Sequence, residues 1–139
     1  MKRKGNMSEL VTGIKGHVEE VVTEARTAAE MASGGLPVYA TPRMTAMMEN
    51  AAWTSVQPHL EEGSTTVGTR LEISHVSASP VGAHITVESE LTGIDGRRLI
   101  FDVKAYDDKG LIGEGTHERF IIKADKFMAR AAAKLEPQG

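Results

Sequence analysis

Three side chains of this sequence, a hydroxyl, a carboxylate and an imidazole, are of the types that a proton-transfer site needs. They are Thr41 and Glu49 in the stretch YATPRMTAMMENAAWTSVQPHL (39–60) and His75 in a later stretch. Such groups position or activate a nucleophile and move a proton. Each also has a simpler explanation: Thr41 as a helix cap, Glu49 as a solvated side chain and His75 as a core histidine with one hydrogen bond. The residues alone therefore leave the function open.

A helix that begins near Thr41 would carry Glu49. Threonine is a good helix cap, and Pro42 would follow at the first helical position, where its missing N–H costs nothing. Pro58 limits how far this helix can run. Apolar and small residues form one stripe of the helix, with Glu49 on its flank: Met44, Met47, Met48, Ala51, Ala52 and Ser55. We expect this stripe to face a core.

After the helix, apolar and polar residues alternate with a period of two, which is typical of half-buried strands. The pattern places His75 on an inner face and His84 on an outer one. The glycine-containing turns GIDG (93–96) and DDKG (107–110) predict that consecutive strands pair antiparallel, and 111–122 supplies the last strand. The predicted inner faces are Val67, Thr69, Leu71, Ile73 and His75; Ile85, Val87 and Leu91; and Leu99, Phe101, Val103 and Ala105.

The two ends of the chain carry weaker patterns. Residues 8–23 fit both a helical and a strand period, and we favour a strand over 15–23. Residues 125–135 predict a second, short helix with Phe127, Met128, Ala131 and Leu135 on one side. The stretch MASGGLPVYA (31–40) reads as a loop because of its glycine pair and proline. Residues 1–13 are expected to form a loosely ordered arm.

Composition excludes several classes of function. A length of 139 residues fits a single domain, 1–139, and zero cysteines exclude thiol nucleophiles and cysteine-ligated metals. A net charge of −3 without a basic stripe argues against nucleic acid, and no apolar run is long enough for a membrane helix. His75 and His117 lack an acidic partner at ligand spacing, so we expect no metal. The start MKRKGNMSEL lacks the apolar stretch of a signal peptide, so a cytoplasmic protein is expected.

The order of elements predicts the architecture. One strand, a central helix, four antiparallel strands and a short helix give an α+β protein in which a sheet of about five strands wraps around one apolar helix. This is the hotdog fold. Its unprotected edge strand predicts a homodimer.

Three segments, VYATPRMTAMMENAA, TVGTRLEISHVSASPVG and GLIGEGTHERFII, resemble the fluoroacetyl-CoA thioesterase family of the hotdog superfamily. The resemblance covers residues 15–123 and implies hydrolysis of an acyl-CoA substrate without any cofactor. It implies that Thr41, Glu49 and His75 are the catalytic set. Gly68 matches a position whose backbone N–H meets the thioester carbonyl, and Arg119 matches one near the acyl or CoA portion.

One segment departs from the family pattern. The fluoroacetyl specialist has phenylalanines before the helix that close over the acyl group, whereas this chain has MASGGLP. We therefore expect a thioesterase that is not specific for fluoroacetyl. Two alternatives are a hydratase or dehydratase acting on an acyl thioester and a non-catalytic module that binds CoA or acyl-CoA.

Overall fold

The structure, a computed structural model, describes residues 9–137 and contains one antiparallel sheet curved around one long helix. Short 3₁₀ turns follow β1, α1 and α2, at Glu24–Arg26, Gln57–His59 and Ala133–Leu135. The strands and helices, in chain order, are β1 (Lys15–Val21), α1 (Thr41–Val56), β2 (Ser64–His75), β3 (His84–Asp95), β4 (Arg98–Asp107), β5 (Gly110–Lys123) and α2 (Ala124–Ala132).

The sheet has the strand order β1-β3-β4-β5-β2, and every neighbouring pair is antiparallel. The hairpins turn at Gly96 (φ 63°) and Gly110 (φ 142°), in the left-handed region that glycine adopts most easily. Both predicted turns are confirmed. The two edges of the sheet are β1 and β2, so the predicted site residues Gly68 and His75 lie on an edge strand.

The core lies between the apolar stripe of α1 and the inner face of the sheet. Met44, Met48, Ala51, Ala52 and Val56 of the helix are all 0% exposed. Burying a side chain of the size of Met or Val contributes roughly 1.5–3 kcal/mol to the stability of the fold. This stripe therefore holds the helix against the sheet. The predicted inner faces of β3 and β4 are confirmed by the buried residues Ile85, Val87, Leu91, Leu99, Phe101, Val103 and Ala105.

The predicted inner face of β2 is wrong in its first half. Thr66 is buried there, whereas Val67 is only half-buried and Thr69 is exposed. The reason is a β-bulge between Gly68 and Arg70, where one extra residue reverses which side chains face inward. Beyond the bulge the prediction is correct, and half-buried Leu71, Ile73 and His75 alternate with exposed Glu72 and Ser74.

The start of α1 also differs from the prediction by one residue. Ala40 occupies the cap position, Thr41 is the first helical residue and Pro42 the second. The Thr41 hydroxyl does not cap the helix, because it is hydrogen-bonded to His75 instead. Pro58 lies just past the end of the helix at Val56, as predicted.

The chain termini are only partly as expected. The predicted first strand is confirmed but ends at Val21. The apolar residues of α2 and the turn after it are not buried in the core, since Phe127, Met128 and Leu135 are 38%, 62% and 92% exposed. In the predicted arm, Leu10 packs against the core, and residues 1–8 lie outside the described part. Within residues 9–137, no helix is long and apolar enough to cross a membrane.

Candidate active site

Thr41 and His75 form a hydrogen-bonded pair between the start of α1 and the end of β2. The distance from Thr41 Oγ1 to His75 Nδ1 is 2.7 Å. His75 Nε2 is buried and has no hydrogen-bond partner among the described residues. Burial lowers the pKa of His75 below its ordinary value of 6.5, and the backbone of Ser77 offsets part of this effect. The imidazole is therefore neutral at neutral pH and able to accept a proton.

A cavity of about 280 Å³ opens at this pair. Its other walls come from residues 76–78, which follow β2, from Tyr39 and from residues 27–38, which we call the lid. Within the lid, the Ala28 N–H donates to the Val38 carbonyl at 2.8 Å and the Ala29 N–H to the Leu36 carbonyl at 3.0 Å. Small side chains, Ala28, Ser33 and Val38, are the lid's contribution to the cavity. The cavity has room for an acyl group.

Glu49 lies in a second cluster, further along α1. Its side chain is 45% exposed, and its Oε2 is 3.6 Å from Arg119 Nη1 and 4.0 Å from His117 Nε2. The carboxylate is therefore half in solvent and ion-paired with a buried arginine. The explanation of Glu49 as a merely solvated side chain is not supported by this placement.

Arg119 is held in place by its neighbours on β2 and β5. Its Nε donates to Thr66 Oγ1 at 2.7 Å and its Nη2 to the Thr66 carbonyl at 2.9 Å. Its Nη1 is 3.1 Å from His117 Nε2. Burial lowers the pKa of Arg119, and Glu49 opposes this shift; guanidinium groups remain charged in proteins.

His117 acts in this cluster as a neutral acceptor. Its Nδ1 is 2.8 Å from the Arg70 carbonyl, to which it donates, so Nε2 is free to accept from Arg119. Burial lowers the pKa of His117; the Arg70 carbonyl opposes the shift, and the Arg119 charge adds to it. A neutral His117 leaves Arg119 as the positive charge that faces Glu49.

Gly68 provides the space in which the Glu49 carboxylate lies. A Cβ atom at this position would be 2.6 Å from Glu49 Oε2, 3.2 Å from Arg119 Nη1 and 3.3 Å from His117 Cε1. Any side chain there would displace the carboxylate. The backbone of β2 thus approaches the charged cluster as closely as a glycine allows.

The five predicted site residues fall into two groups within one chain. Thr41 and His75 form one, and Glu49, Gly68 and Arg119 form the other. Because α1 is continuous from Thr41, the backbone positions of Thr41 and Glu49 are about 12 Å apart. The side chains of Thr41 and Glu49 therefore cannot hydrogen-bond to each other within one chain.

Two residues that contact the second group, His117 and Thr66, are missing from the predicted site. For His117 the sequence predicts only that it is not a metal ligand. The strand alternation of β5 could have shown that His117 shares the inner face with Arg119. Thr66 could not be recognised, because the bulge in β2 reverses the face on which it lies.

Comparison with known proteins gives the family. The model of the fluoroacetyl-CoA-specific thioesterase family matches residues 22–125. The chain belongs to this family. A fluoroacetyl-CoA thioesterase from Streptantibioticus cattleyicolor is 41% identical to it over 97 residues, which is 70% of each chain.

Solved structures of a thioesterase of this family have the same fold. One of fluoroacetyl-CoA thioesterase is 33% identical, with a TM-score of 0.86 over 94% of this chain and 100% of the other. A variant crystallised with fluoroacetate and CoA is 34% identical, with a TM-score of 0.80 over 85% of this chain and 99% of the other. The predictions of a hotdog fold and of a thioesterase are confirmed, and hydrolysis is favoured over the hydratase, dehydratase and binding-module alternatives.

Proposed function

We propose that this chain is a cytoplasmic homodimer that hydrolyses acyl-CoA thioesters and is not specific for the fluoroacetyl group. The observation that carries this proposal is the Thr41–His75 pair, 2.7 Å apart, at a cavity of about 280 Å³. A hydroxyl bonded to a neutral imidazole is the arrangement that activates an oxygen nucleophile. The relatives in this family are named as thioesterases, and the cavity lined by Thr41 and His75 has room for the acyl group of such a substrate.

Each predicted residue has a role in this reaction. His75 accepts the proton of the nucleophile, either water or the Thr41 hydroxyl, or polarises the thioester. Glu49 orients or activates that nucleophile, and the Gly68 N–H stabilises the oxyanion that forms at the carbonyl. Arg119 binds near the acyl or CoA portion. The carbon–sulfur bond then breaks, and the departing thiolate takes the proton from His75 to give CoA thiol. If water is the nucleophile, the free acid forms in the same step; if Thr41 is, the acyl group is left as an ester on Thr41, and water hydrolyses it to the free acid in a second step.

A homodimer through the edge strand β2 would bring the two groups of residues together. Gly68 and His75 lie on this one strand, about 23 Å apart at the rise of an extended chain. In a two-fold dimer the two copies of β2 would pair antiparallel. A pairing centred between Leu71 and Glu72 places Gly68 of one protomer opposite His75 of its partner. The Glu49 group of one subunit would then complete the Thr41–His75 pair of the other.

Mixing two inactive variants tests the shared site. Thr41→Ala and Glu49→Gln proteins are combined and allowed to exchange subunits. Each heterodimer then has one intact site, so the mixture should recover about a quarter of wild-type activity, since half of the dimers are mixed. No recovery after confirmed subunit exchange would contradict a site shared across the dimer.

A substrate screen tests the reaction itself. Free thiol is measured with acyl-CoAs that differ in length, branching and polarity, and an enoyl-CoA is included with analysis of its product. We expect thiol release with several acyl groups. Hydration of the enoyl group without thiol release would indicate a hydratase, and binding without any release would indicate a binding module.

A further inference from the structure

The carboxylate of Glu20 on β1 lies at the centre of a buried polar network outside the site described above. Its side chain is 6% exposed. Tyr39 Oη donates to it at 2.6 Å, Arg43 Nε donates to both carboxylate oxygens at 2.9 and 3.1 Å, and Arg43 Nη2 adds a further short bond. Arg26 Nη1 lies 3.3 Å away. Burial raises the pKa of Glu20, but the bonds and charges of Arg43, Tyr39 and Arg26 together hold it below its usual value.

The partners of Glu20 bracket both the lid and Thr41. Arg26 comes directly before the lid, and its carbonyl accepts the Ala40 N–H at 3.0 Å, which closes the base of the lid. Tyr39 and Arg43 lie two residues before and two residues after Thr41. Tyr39 is 1% exposed, and it lines the cavity in which Thr41 and His75 lie.

We infer that Glu20 is a positioning residue, which holds Thr41 against His75 and fixes the base of the lid by clamping Arg26, Tyr39 and Arg43. The carboxylate does not line the cavity, so it acts through these partners and not on the substrate. Removing its charge leaves the guanidinium groups of Arg26 and Arg43 without their shared counter-ion. The two cations then repel each other, and the segment that carries Thr41 is released. For catalysis, this inference rests on the thioester hydrolysis proposed above.

If the buried ion pairs of Glu20 only stabilised the fold, mutation of Glu20 would also lower the stability of the protein. The two roles differ in what happens at His75. If Glu20 positions Thr41, its loss weakens the 2.7 Å bond to His75 Nδ1 and opens the cavity to water. The imidazole then regains hydration, so its pKa should rise toward 6.5. A purely structural role leaves the His75 titration unchanged in the folded variant.

The experiment compares Glu20→Gln with Glu19→Gln, the adjacent glutamate, whose side chain is 67% exposed and pairs with His17. The readouts are the His75 pKa by NMR, kcat for thiol release and the melting temperature. We expect Glu20→Gln to raise the His75 pKa and to lower kcat by about 10- to 100-fold, the cost of a misplaced catalytic group. Glu19→Gln should leave both quantities at their wild-type values.

A second variant, Tyr39→Phe, provides the test if Glu20→Gln does not fold. Tyr39→Phe removes only the hydroxyl that donates to Glu20, and it should move the His75 pKa and kcat in the same directions by smaller amounts. Tyr106→Phe is the matched control on β4. A wild-type His75 pKa in folded Glu20→Gln, or in Tyr39→Phe where Glu20→Gln does not fold, would overturn the inference, whatever the melting temperature. If the wild-type protein released no thiol from any acyl-CoA, the proposed function would fail, while the NMR result would still decide the role of Glu20.

Discussion

At the scale of single residues, the placement of Glu49 predicts that replacing it lowers activity but hardly changes the stability of the fold. Its carboxylate is 45% exposed and makes no close hydrogen bond to Arg119, so Glu49→Gln removes charge without opening a cavity. We expect kcat to fall by at least about 100-fold, as for the loss of a positioned acid–base group. The melting temperature should stay near that of the wild type.

The control for this substitution is Glu88→Gln on β3, three strands away from β2, whose side chain is 52% exposed and lies 3.9 Å from that of His17. It removes the same charge at a distance from both groups of site residues. Wild-type turnover in Glu49→Gln would return Glu49 to the status of a solvated side chain.

A substitution at Gly68 makes the opposite kind of change, because it adds a methyl group where the structure is crowded. In Gly68→Ala the new Cβ would lie 2.6 Å from Glu49 Oε2, so the carboxylate must move away from β2. We expect turnover to fall by at least about 10-fold, because a shift of about 1 Å in a catalytic group is costly. Gly93→Ala is the control, since its Cβ would make ordinary contacts with Ile100 at 3.4 Å. Equal kcat values for the two variants would show that the position of the carboxylate is unimportant.

At the scale of elements, the side chains of the lid predict that the protein accepts a broad range of acyl groups. Its large apolar members, Met31 and Leu36, are 40% and 67% exposed and do not line the cavity. Since one methylene in an apolar pocket changes binding by only about 1–3 kcal/mol, discrimination between fluorine and hydrogen needs a closed, dry cavity. We expect kcat/KM for fluoroacetyl-CoA to exceed that for acetyl-CoA by no more than about tenfold, with a longer or branched acyl group preferred to both. A preference for fluoroacetyl of about a thousandfold would contradict this.

Adding an aromatic side chain to the lid tests whether the lid selects the acyl group. Ser33 lines the cavity, so Ser33→Phe would place an aromatic ring over the acyl group. We expect it to lower kcat/KM for long acyl-CoAs more than for acetyl-CoA. Leu36→Phe, at a position that is 67% exposed, should leave the acyl preference unchanged. Identical acyl profiles for the two variants would show that the lid does not select the acyl group.

At the scale of the whole molecule, buried histidines predict how stability depends on pH. Burial lowers the pKa of both His75 and His117 below the ordinary value of 6.5. On acidification the unfolded chain therefore binds protons before the folded one does. The free energy of unfolding should be at its full value above pH 6.5 and should fall as the pH drops from there through the lowered values.

Urea unfolding at a series of pH values measures this dependence. His117→Gln should make the decline shallower, whereas His84→Gln, at an exposed position of β3, should not. A further loss should follow at lower pH, as Glu20 and Asp107 are protonated, because the pKa values of both carboxyls are lowered from 4.5 and 3.8. A free energy of unfolding that stays constant from neutral pH to below 6.5 would contradict the buried, neutral state of the histidines.

Much of the fold was determined by patterns that are local in the chain. The inner faces of β3 and β4 follow from strict alternation, the apolar stripe of α1 from its helical period, and the hairpins from Gly96 and Gly110. In each case the information lies within a few neighbouring residues, because side-chain direction repeats every two residues in a strand and every 3.6 in a helix. The types of the candidate site residues were also readable, together with their resemblance to a family motif.

Tertiary structure alone decided how the site residues are grouped. Thr41 and His75 are 34 residues apart in sequence, and whether the Thr41 hydroxyl caps its helix or bonds His75 depends on how α1 sits against the end of β2. The bulge at Gly68 shifts the register by one residue, which reverses the face of Thr66 and lets Arg119 reach it. Such contacts depend on strand register and helix packing across the molecule. No local period in the sequence records a register, and so the separation of Glu49 from the Thr41–His75 pair became visible only in three dimensions.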